Sequence, residues 1–361
     1  MTSGSISEDM FVRDFDFDLP PALIAQEPAA DRSGARLVHL PRAIGPAVHS
    51  TIAALPSLLQ PGDLLVVNNT RVFPARLIGH RVPSGGAVEC LLIARLDGEH
   101  HPDERWEALV HPGQKLKPGS RIVFEGAVTL HGEILERRFF GRRTVRLWTA
   151  EGISVLDAIE RIGHIPLPPY IKRDDRASDR ERYQTVFAQR SGSIAAPTAG
   201  LHFNAPLVAA LNERGVGIVE ITLHVGYGTF QPVRAEHVED HRVEPEHYEI
   251  SQAVADSINE ALGQGRRVIA VGTTTTRTLE AVARQHDGRL VAGSGTTGLF
   301  IYPGFEFRVI CGLLTNFHLP QSSLLMLVSA FAGRERVLAA YREAISRGYR
   351  FYSYGDAMLI L

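Results

Sequence analysis

Between Ala75 and about Thr149 the sequence shows no helical period. It runs as ARLIGHRV, AVECLLIARL, RWEALV, RIVFEG, AVTLHGEILE and TVRLWT, set apart by turn residues at Ser84-Gly85-Gly86, Pro112-Gly113, Pro118-Gly119 and Gly141. Short strands at this spacing predict a small antiparallel β-barrel. The flanks read as alternating strand and helix. The chain is therefore expected to form an α/β main domain with a mixed sheet from residues 1–72 and 151–361, with residues 73–150 inserted into it as a β-barrel domain.

The flanking elements follow from pattern and punctuation. Arg36–Leu40 and Leu64–Asn68 read as strands, with a short helix within Ile52–Leu59 between them. Ser154–Ile162 returns to helical period, and the Pro-rich segment Gly163–Ile171 leads back from the barrel. Asn204 caps a helix from Ala205 to Arg214, which Gly215 ends. Val216–Leu223 is a strand. Ser251 caps a helix with Val254, Ile258, Ala261 and Leu262 on one face. Arg267–Val271 is a strand, and a helix follows over Thr278–Arg284. A Gly-rich loop (Gly293, Gly295, Gly298) precedes Phe300–Tyr302. Gly312–Thr315 is a short apolar strand, and Ser322 or Ser323 caps the helix after it. A last helix spans Glu335–Arg347, and a final strand lies within Tyr349–Leu361. Residues 1–10 are expected to be disordered.

Composition narrows the function classes. A net charge of −2 means that any nucleic-acid surface must be local. The two cysteines, Cys90 and Cys311, have no metal-ligand spacing and suit a reducing cytoplasm. The polar, acidic start lacks a signal-peptide core, and no run reaches the roughly 18 apolar residues of a membrane span. The pair His237 and His241 has metal-ligand spacing but no third ligand, and reads as solvated surface; no metal is expected.

Polar clusters recur at strand ends, at 68–71, 224–229, 272–277 and 315–318. In a parallel or mixed sheet they converge on one edge, where open α/β sheets hold ligands. The segment Gly272-Thr273-Thr274-Thr275-Thr276-Arg277 offers backbone N–H groups and hydroxyls to an anion, although capping the helix needs only one threonine. It is not a P-loop, since no Gly-Lys-Ser/Thr follows. His202, His224 and His318 each lie on a Gly- or Pro-flanked loop and can exchange protons near neutral pH. Gly293, Gly295 and Gly298 match G-x-G-x-x-G by letters, but no helix follows, which disfavours a dinucleotide fold. There is no G-x-S-x-G nucleophile elbow. The hairpin Glu136–Arg146 carries Arg137, Arg138, Arg142, Arg143 and Arg146. It reads either as a phosphate grip or as a charged, solvated edge.

At these loops the chain closely resembles the S-adenosylmethionine:tRNA ribosyltransferase-isomerase family of queuosine biosynthesis. The matching segments are AQEPAADRSGARL (25–37), VNNTRVFPARL (67–77), GHIPLPPYI (163–171), AAPTAGLHF (195–203), HVGYGTFQPV (224–233), VGTTTTRTLE (271–280), TNFHLPQSSLLMLVSAF (315–331) and YRFYSYGDAMLI (349–360). Ser323 stands where the family pattern suggests Thr, and Thr275-Thr276 where Ser-Val is common. The resemblance implies an α/β domain with an inserted barrel. It also implies transfer and isomerisation of the ribosyl part of S-adenosylmethionine onto 7-aminomethyl-7-deazaguanine (preQ1) at the tRNA wobble position. Epoxyqueuosine-tRNA forms, and adenine and methionine leave. S-adenosylmethionine is then a consumed substrate, and no cofactor is expected.

That reaction needs a base beside the sulfonium, a donor for departing adenine and a neutral amine. His224, His318 and Asp356 are the candidate acid–base residues. Substrate contacts are assigned to Thr198, His202, Phe203, Gly226, Tyr227, Gly228, Thr229, Phe230, Thr273, Thr274, Arg277, Thr315 and Asn316, with Phe203, Tyr227 and Phe230 as stacking platforms for a flipped base. Arg71, Arg76, Arg137, Arg138, Arg142 and Arg143 are assigned to the tRNA backbone. The expected protein is a cytoplasmic monomer. Two other readings stay open: a non-catalytic RNA-binding protein using the barrel and its Arg hairpin, and a transferase of another kind using the Thr-rich loop for a phosphorylated substrate.

Overall fold

Alternate residues of the central strands face two different cores. Leu64, Val66, Val268, Ala270 and Leu313 join one cluster, and Leu65, Val67, Ile269, Val271 and Leu314 join the other. Such strands carry no polar face, and helices must cover both sides. The computed structural model describes residues 9–43, 45–96, 103–150 and 152–361. The disorder expected for residues 1–10 concerns a segment whose first eight residues lie outside the described ones.

The main sheet has nine strands, in the order Gly293–Thr297, Glu246–Ile250, Gly217–Leu223, Leu64–Asn68, Val268–Val271, Gly312–Asn316, Ala357–Ile360, Arg36–Leu40 and Val48–Thr51. The four strands from Gly217–Leu223 to Gly312–Asn316 are mutually parallel. Ala357–Ile360 runs antiparallel to Gly312–Asn316, so the sheet is mixed, as expected. Helices Gln252–Gly263, Thr273–Gln285, Ser323–Ala332 and Arg334–Ser346 contribute to one core, and helix Ala205–Glu213 with Leu55 and Leu59 to the other. Truncating a fully buried leucine such as Leu65 to Ala would cost about 2–5 kcal/mol.

Side-chain oxygens of Asn204, Ser251 and Ser322 accept the backbone N–H groups of Leu207, Val254 and Leu325, so the cap at 322/323 falls on Ser322. Two expectations fail. The helix expected over Thr278–Arg284 begins at Thr273, so the threonines form its first turn rather than a loop. The Gly-rich segment is itself an edge strand, Gly293–Thr297, paired antiparallel with Glu246–Ile250, whereas Phe300–Tyr302 is not in a strand. Gly295 is needed there, because a Cβ would sit 2.8 Å from the Tyr248 hydroxyl.

The strands between Arg76 and Thr149 close into a six-stranded antiparallel barrel. Its interior is filled by residues including Leu77, Cys90, Trp106, Phe124, Ile134 and Leu147. Helix Val155–Ile162, capped by Ser154, adds Val155, Ala158 and Ile159 to that interior. No helix among the described residues is long and apolar enough to cross a membrane.

Candidate active site

The parallel register brings the carboxyl ends of four neighbouring strands to one edge: Asn68, Leu223, Val271 and Asn316. All four strand-end clusters therefore meet, and the reversed strand Ala357–Ile360 delivers Tyr352 and Ser353 to the same edge. A cleft of about 590 Å³, counted with its open mouth, lies there. Thr198, Thr229, Phe230, Thr273, Thr274, Thr315, Asn316 and His318 line it, together with Tyr170, Tyr183, Tyr352 and Ser353, which pattern reading did not single out as site residues.

The helix-opening segment divides its labour. Gly272 takes φ +93°, a left-handed conformation that glycine adopts without Cβ strain, and its N–H donates to the Leu314 carbonyl. The Thr275 and Thr276 hydroxyls donate back to the carbonyls of Val271 and Gly272, at 2.9 and 3.1 Å. The Thr274 hydroxyl, although buried, has no partner among the described residues. A buried hydroxyl without a partner is uncommon and costly, and this one lines the cleft. The Asn316 amide donates to the carbonyls of Tyr352 and Ser353, and its side chain also meets the buried imidazole of His202.

His318 lines the same cleft. Its Nε2 lies 2.9 Å from Thr315 Oγ1, which leaves Nδ1 without a partner among the described residues. Burial pushes its pKa down to about 3, so the imidazole is neutral at physiological pH. Tyr352 holds φ +76°, and its carbonyl accepts from Asn316 and from the Gly355 N–H. Such backbone strain persists where the surroundings over-determine it, often at functional sites.

Other predicted residues lie elsewhere. His224 does not line this cleft. Its Nδ1 is 2.8 Å from Thr70 Oγ1, and its ring packs against Gly192. Burial and the neighbouring His247 lower its pKa. Gly226 and Gly228 line an adjoining cleft with Arg277, and Thr229 lines both clefts. Tyr227 lines a further cleft between barrel and sheet, which Phe230 shares. His202 is buried, its pKa pushed down to about 4 by burial, against the opposing pull of Asp356 and a hydrogen bond with the Asn316 side chain.

Several expectations require correction. Asp356 is not placed for acid–base work. Its carboxylate accepts from the Arg36 guanidinium and from the backbone N–H groups of Arg36 and Arg350, tying strands together. Phe203 is fully buried against Phe187, so it offers no face to a base. Arg277 is buried and already bonded to Glu246 (2.7 Å) and to the Leu299 carbonyl (3.0 Å), and cannot meet a carboxylate or phosphate without losing Glu246.

The hairpin does not present free guanidinium groups throughout. Arg138 bonds Glu136, Arg142 bonds Glu107 and Glu244, Arg146 bonds Asp103, and Arg143 is buried against the carbonyls of Gly113, Gly141 and Arg142. Arg76 pairs with Glu89 and Asp175. Arg137 and Arg71 remain exposed, the latter 3.9 Å from Glu160.

The arrangement can bind a polar organic ligand at the sheet edge, beside the free Thr274 hydroxyl and a neutral imidazole. Comparison with known proteins points the same way. The sequence profile of the family described as "Queuosine biosynthesis protein" matches residues 12–360. A Desulfitobacterium hafniense protein named S-adenosylmethionine:tRNA ribosyltransferase-isomerase is 51% identical over 352 residues, covering 98% of this chain and 100% of that protein. A Geobacter metallireducens protein of the same name is 50% identical over 351 residues, covering 97% and 100%. The crystal structure of S-adenosylmethionine tRNA ribosyltransferase from Thermotoga maritima is similar in fold, with TM-score 0.54 and 37% identity, covering 96% of this chain and 100% of that one. With the profile and these relatives matched over nearly its whole length, this chain belongs to the queuosine biosynthesis protein family.

Proposed function

We infer that this protein is an S-adenosylmethionine:tRNA ribosyltransferase-isomerase. It transfers and isomerises the ribosyl moiety of S-adenosylmethionine onto 7-aminomethyl-7-deazaguanine at the tRNA wobble position, forming epoxyqueuosine-tRNA and releasing adenine and methionine. It works as a cytoplasmic monomer, and S-adenosylmethionine is consumed. The names of relatives about half identical over their full length support the reaction. The observation that carries the site is the buried Thr274 hydroxyl, unpartnered among the described residues, in the cleft that Asn316 and His318 also line.

His318 is the proton-handling group in this reading. With Nε2–H donating to Thr315, Nδ1 is an acceptor that can take the proton beside the sulfonium. In the reverse tautomer Nδ1–H can donate to departing adenine. Thr273, Thr274 and Asn316 hold polar groups of the substrate at the helix N-terminus, where the exposed end of the dipole favours a carboxylate. His224, with Thr70, serves the tRNA side of the reaction from the neighbouring strand end. Tyr227 and Phe230 are the stacking platforms, and Arg71 and Arg137 contact the tRNA backbone.

Purified protein incubated with S-adenosylmethionine and tRNA carrying the aminomethyl-deazaguanine should release adenine, read by chromatography, and only when the modified tRNA is present. Intact tRNA binding by folded protein without adenine release would replace this reading with a non-catalytic RNA-binding one.

A further inference from the structure

The barrel hairpin turns through Phe139, Phe140 and Gly141 and leaves two phenyl rings in water. Phe139 is 87% and Phe140 88% exposed, while the next most exposed large apolar side chain among the described residues, Val48, reaches 50%. Phe140 also holds a left-handed backbone, φ 55° and ψ 33°, which Asn or Gly adopts more readily than a bulky residue. Adjacent apolar rings presented this way mark an interaction surface.

Charge and position select the partner. Arg137, two residues before Phe139, has no carboxylate partner among the described residues. Arg143, behind them, bonds only carbonyl oxygens and keeps its charge unneutralised. Arg142, two residues after Phe140, reaches from the barrel to Glu244 on the wall of the cleft next to the active one. Glu244 in turn packs at Gly228, beside Thr229, which lines both clefts. The rings therefore stand on a turn anchored to the rim of the site.

We propose that Phe139 and Phe140 form a finger that stacks on unpaired bases of the tRNA loop whose modified base enters the cleft, with Arg137 on an adjacent phosphate. This rests on the function proposed above. A base that reacts in a cleft must leave its stack, and that exposes the π-faces of its neighbours. Aromatic side chains beside arginine suit such bases regardless of sequence.

The test is the double variant Phe139→Ser/Phe140→Asn, in which Asn suits the left-handed turn. Its KM for modified tRNA and its Kd by filter binding should rise about tenfold or more, while kcat at saturating tRNA and KM for S-adenosylmethionine stay within about twofold. In Phe140→Trp, added tRNA should quench the new emission, and S-adenosylmethionine alone should not. Unchanged tRNA KM and Kd would overturn the proposal. So would unchanged tRNA affinity with a shift from dimer to monomer in sedimentation, which would assign the rings to a second copy of the chain. Absence of adenine release by the unaltered protein would count against the proposed reaction alone, since tRNA binding still reports on the finger.

Discussion

Thr315 Oγ1 and His318 Nε2 lie 2.9 Å apart, at the exit of a strand buried at every residue. Among the described residues Thr315 is the imidazole's one side-chain partner, in a setting where burial disfavours its charge. His202 shares that setting and is pushed down to about 4.

Acid stability should report both imidazoles. Unfolded, each takes up a proton near pH 6.5. Folded, each refuses it until pH falls to about 3 for His318 and about 4 for His202. The stabilisation is therefore complete above pH 6.5 and is lost as pH falls toward those folded values. Two protons correspond to a slope of about 3 kcal/mol per pH unit around pH 5. Urea titrations across pH should give that slope, and His202→Asn and His318→Gln should each remove about one proton from it. A slope unchanged in both variants would show that neither imidazole is held neutral.

Thr274 and Thr275 are neighbours with opposite duties. Thr274→Val removes a hydroxyl that bonds nothing among the described residues. It should leave the thermal midpoint unchanged or slightly raised, and raise KM for S-adenosylmethionine about five- to tenfold, the worth of one hydrogen bond. Thr275→Val loses a bond to the Val271 carbonyl and should leave that KM unaltered. Steady-state kinetics on the pair decides whether the Thr274 hydroxyl meets the substrate.

Asp356 should behave as a structural carboxylate. Asp356→Ala leaves two backbone N–H groups without their acceptor, and leaves the Arg36 guanidinium only the carbonyls of Arg347 and Gly348. The guanidinium is partly solvated, so the loss is discounted to about 2–3 kcal/mol. The folded fraction at low temperature should keep near-normal kcat. A loss of kcat beyond about 100-fold in folded protein would return Asp356 to the chemistry.

Gly192 sets the position of His224. It has φ +149°, and a Cβ there would lie 2.8–3.0 Å from three atoms of the imidazole. Gly192→Ala should push the ring away from Thr70 and lower turnover about tenfold or more, matching Thr70→Val, with tRNA affinity measured in parallel. Full turnover in both variants would leave His224 with a structural role.

The architecture was readable because its signals are local. Strand period, turn residues and caps identify the barrel and the alternating elements, and parallel pairing then brings the strand-end clusters together. What escaped depends on partners distant in sequence. Asp356 looks available for catalysis until Arg36, 320 positions away, closes on it. Arg277 looks like an anion receptor until Glu246 meets it. The Gly293–Thr297 strand has no apolar alternation, and backbone pairing to Glu246–Ile250 holds it. The hairpin arginines read as a basic patch because the carboxylates that pair Arg142 and Arg146 come from other strands and loops.

The sheet joins distant parts of the chain: Ala357–Ile360 lies between Gly312–Asn316 and Arg36–Leu40, whereas the barrel uses only strands between Arg76 and Thr149. During synthesis the two therefore mature on different schedules. The barrel can close while later residues are still unmade. Arg36–Leu40 must wait through most of translation for its parallel neighbour, holding apolar residues that only the completed sheet covers. A ribosome stalled before residue 357 would carry a finished barrel beside an open sheet, and a chain released at that point would be a substrate for proteases rather than a partial enzyme.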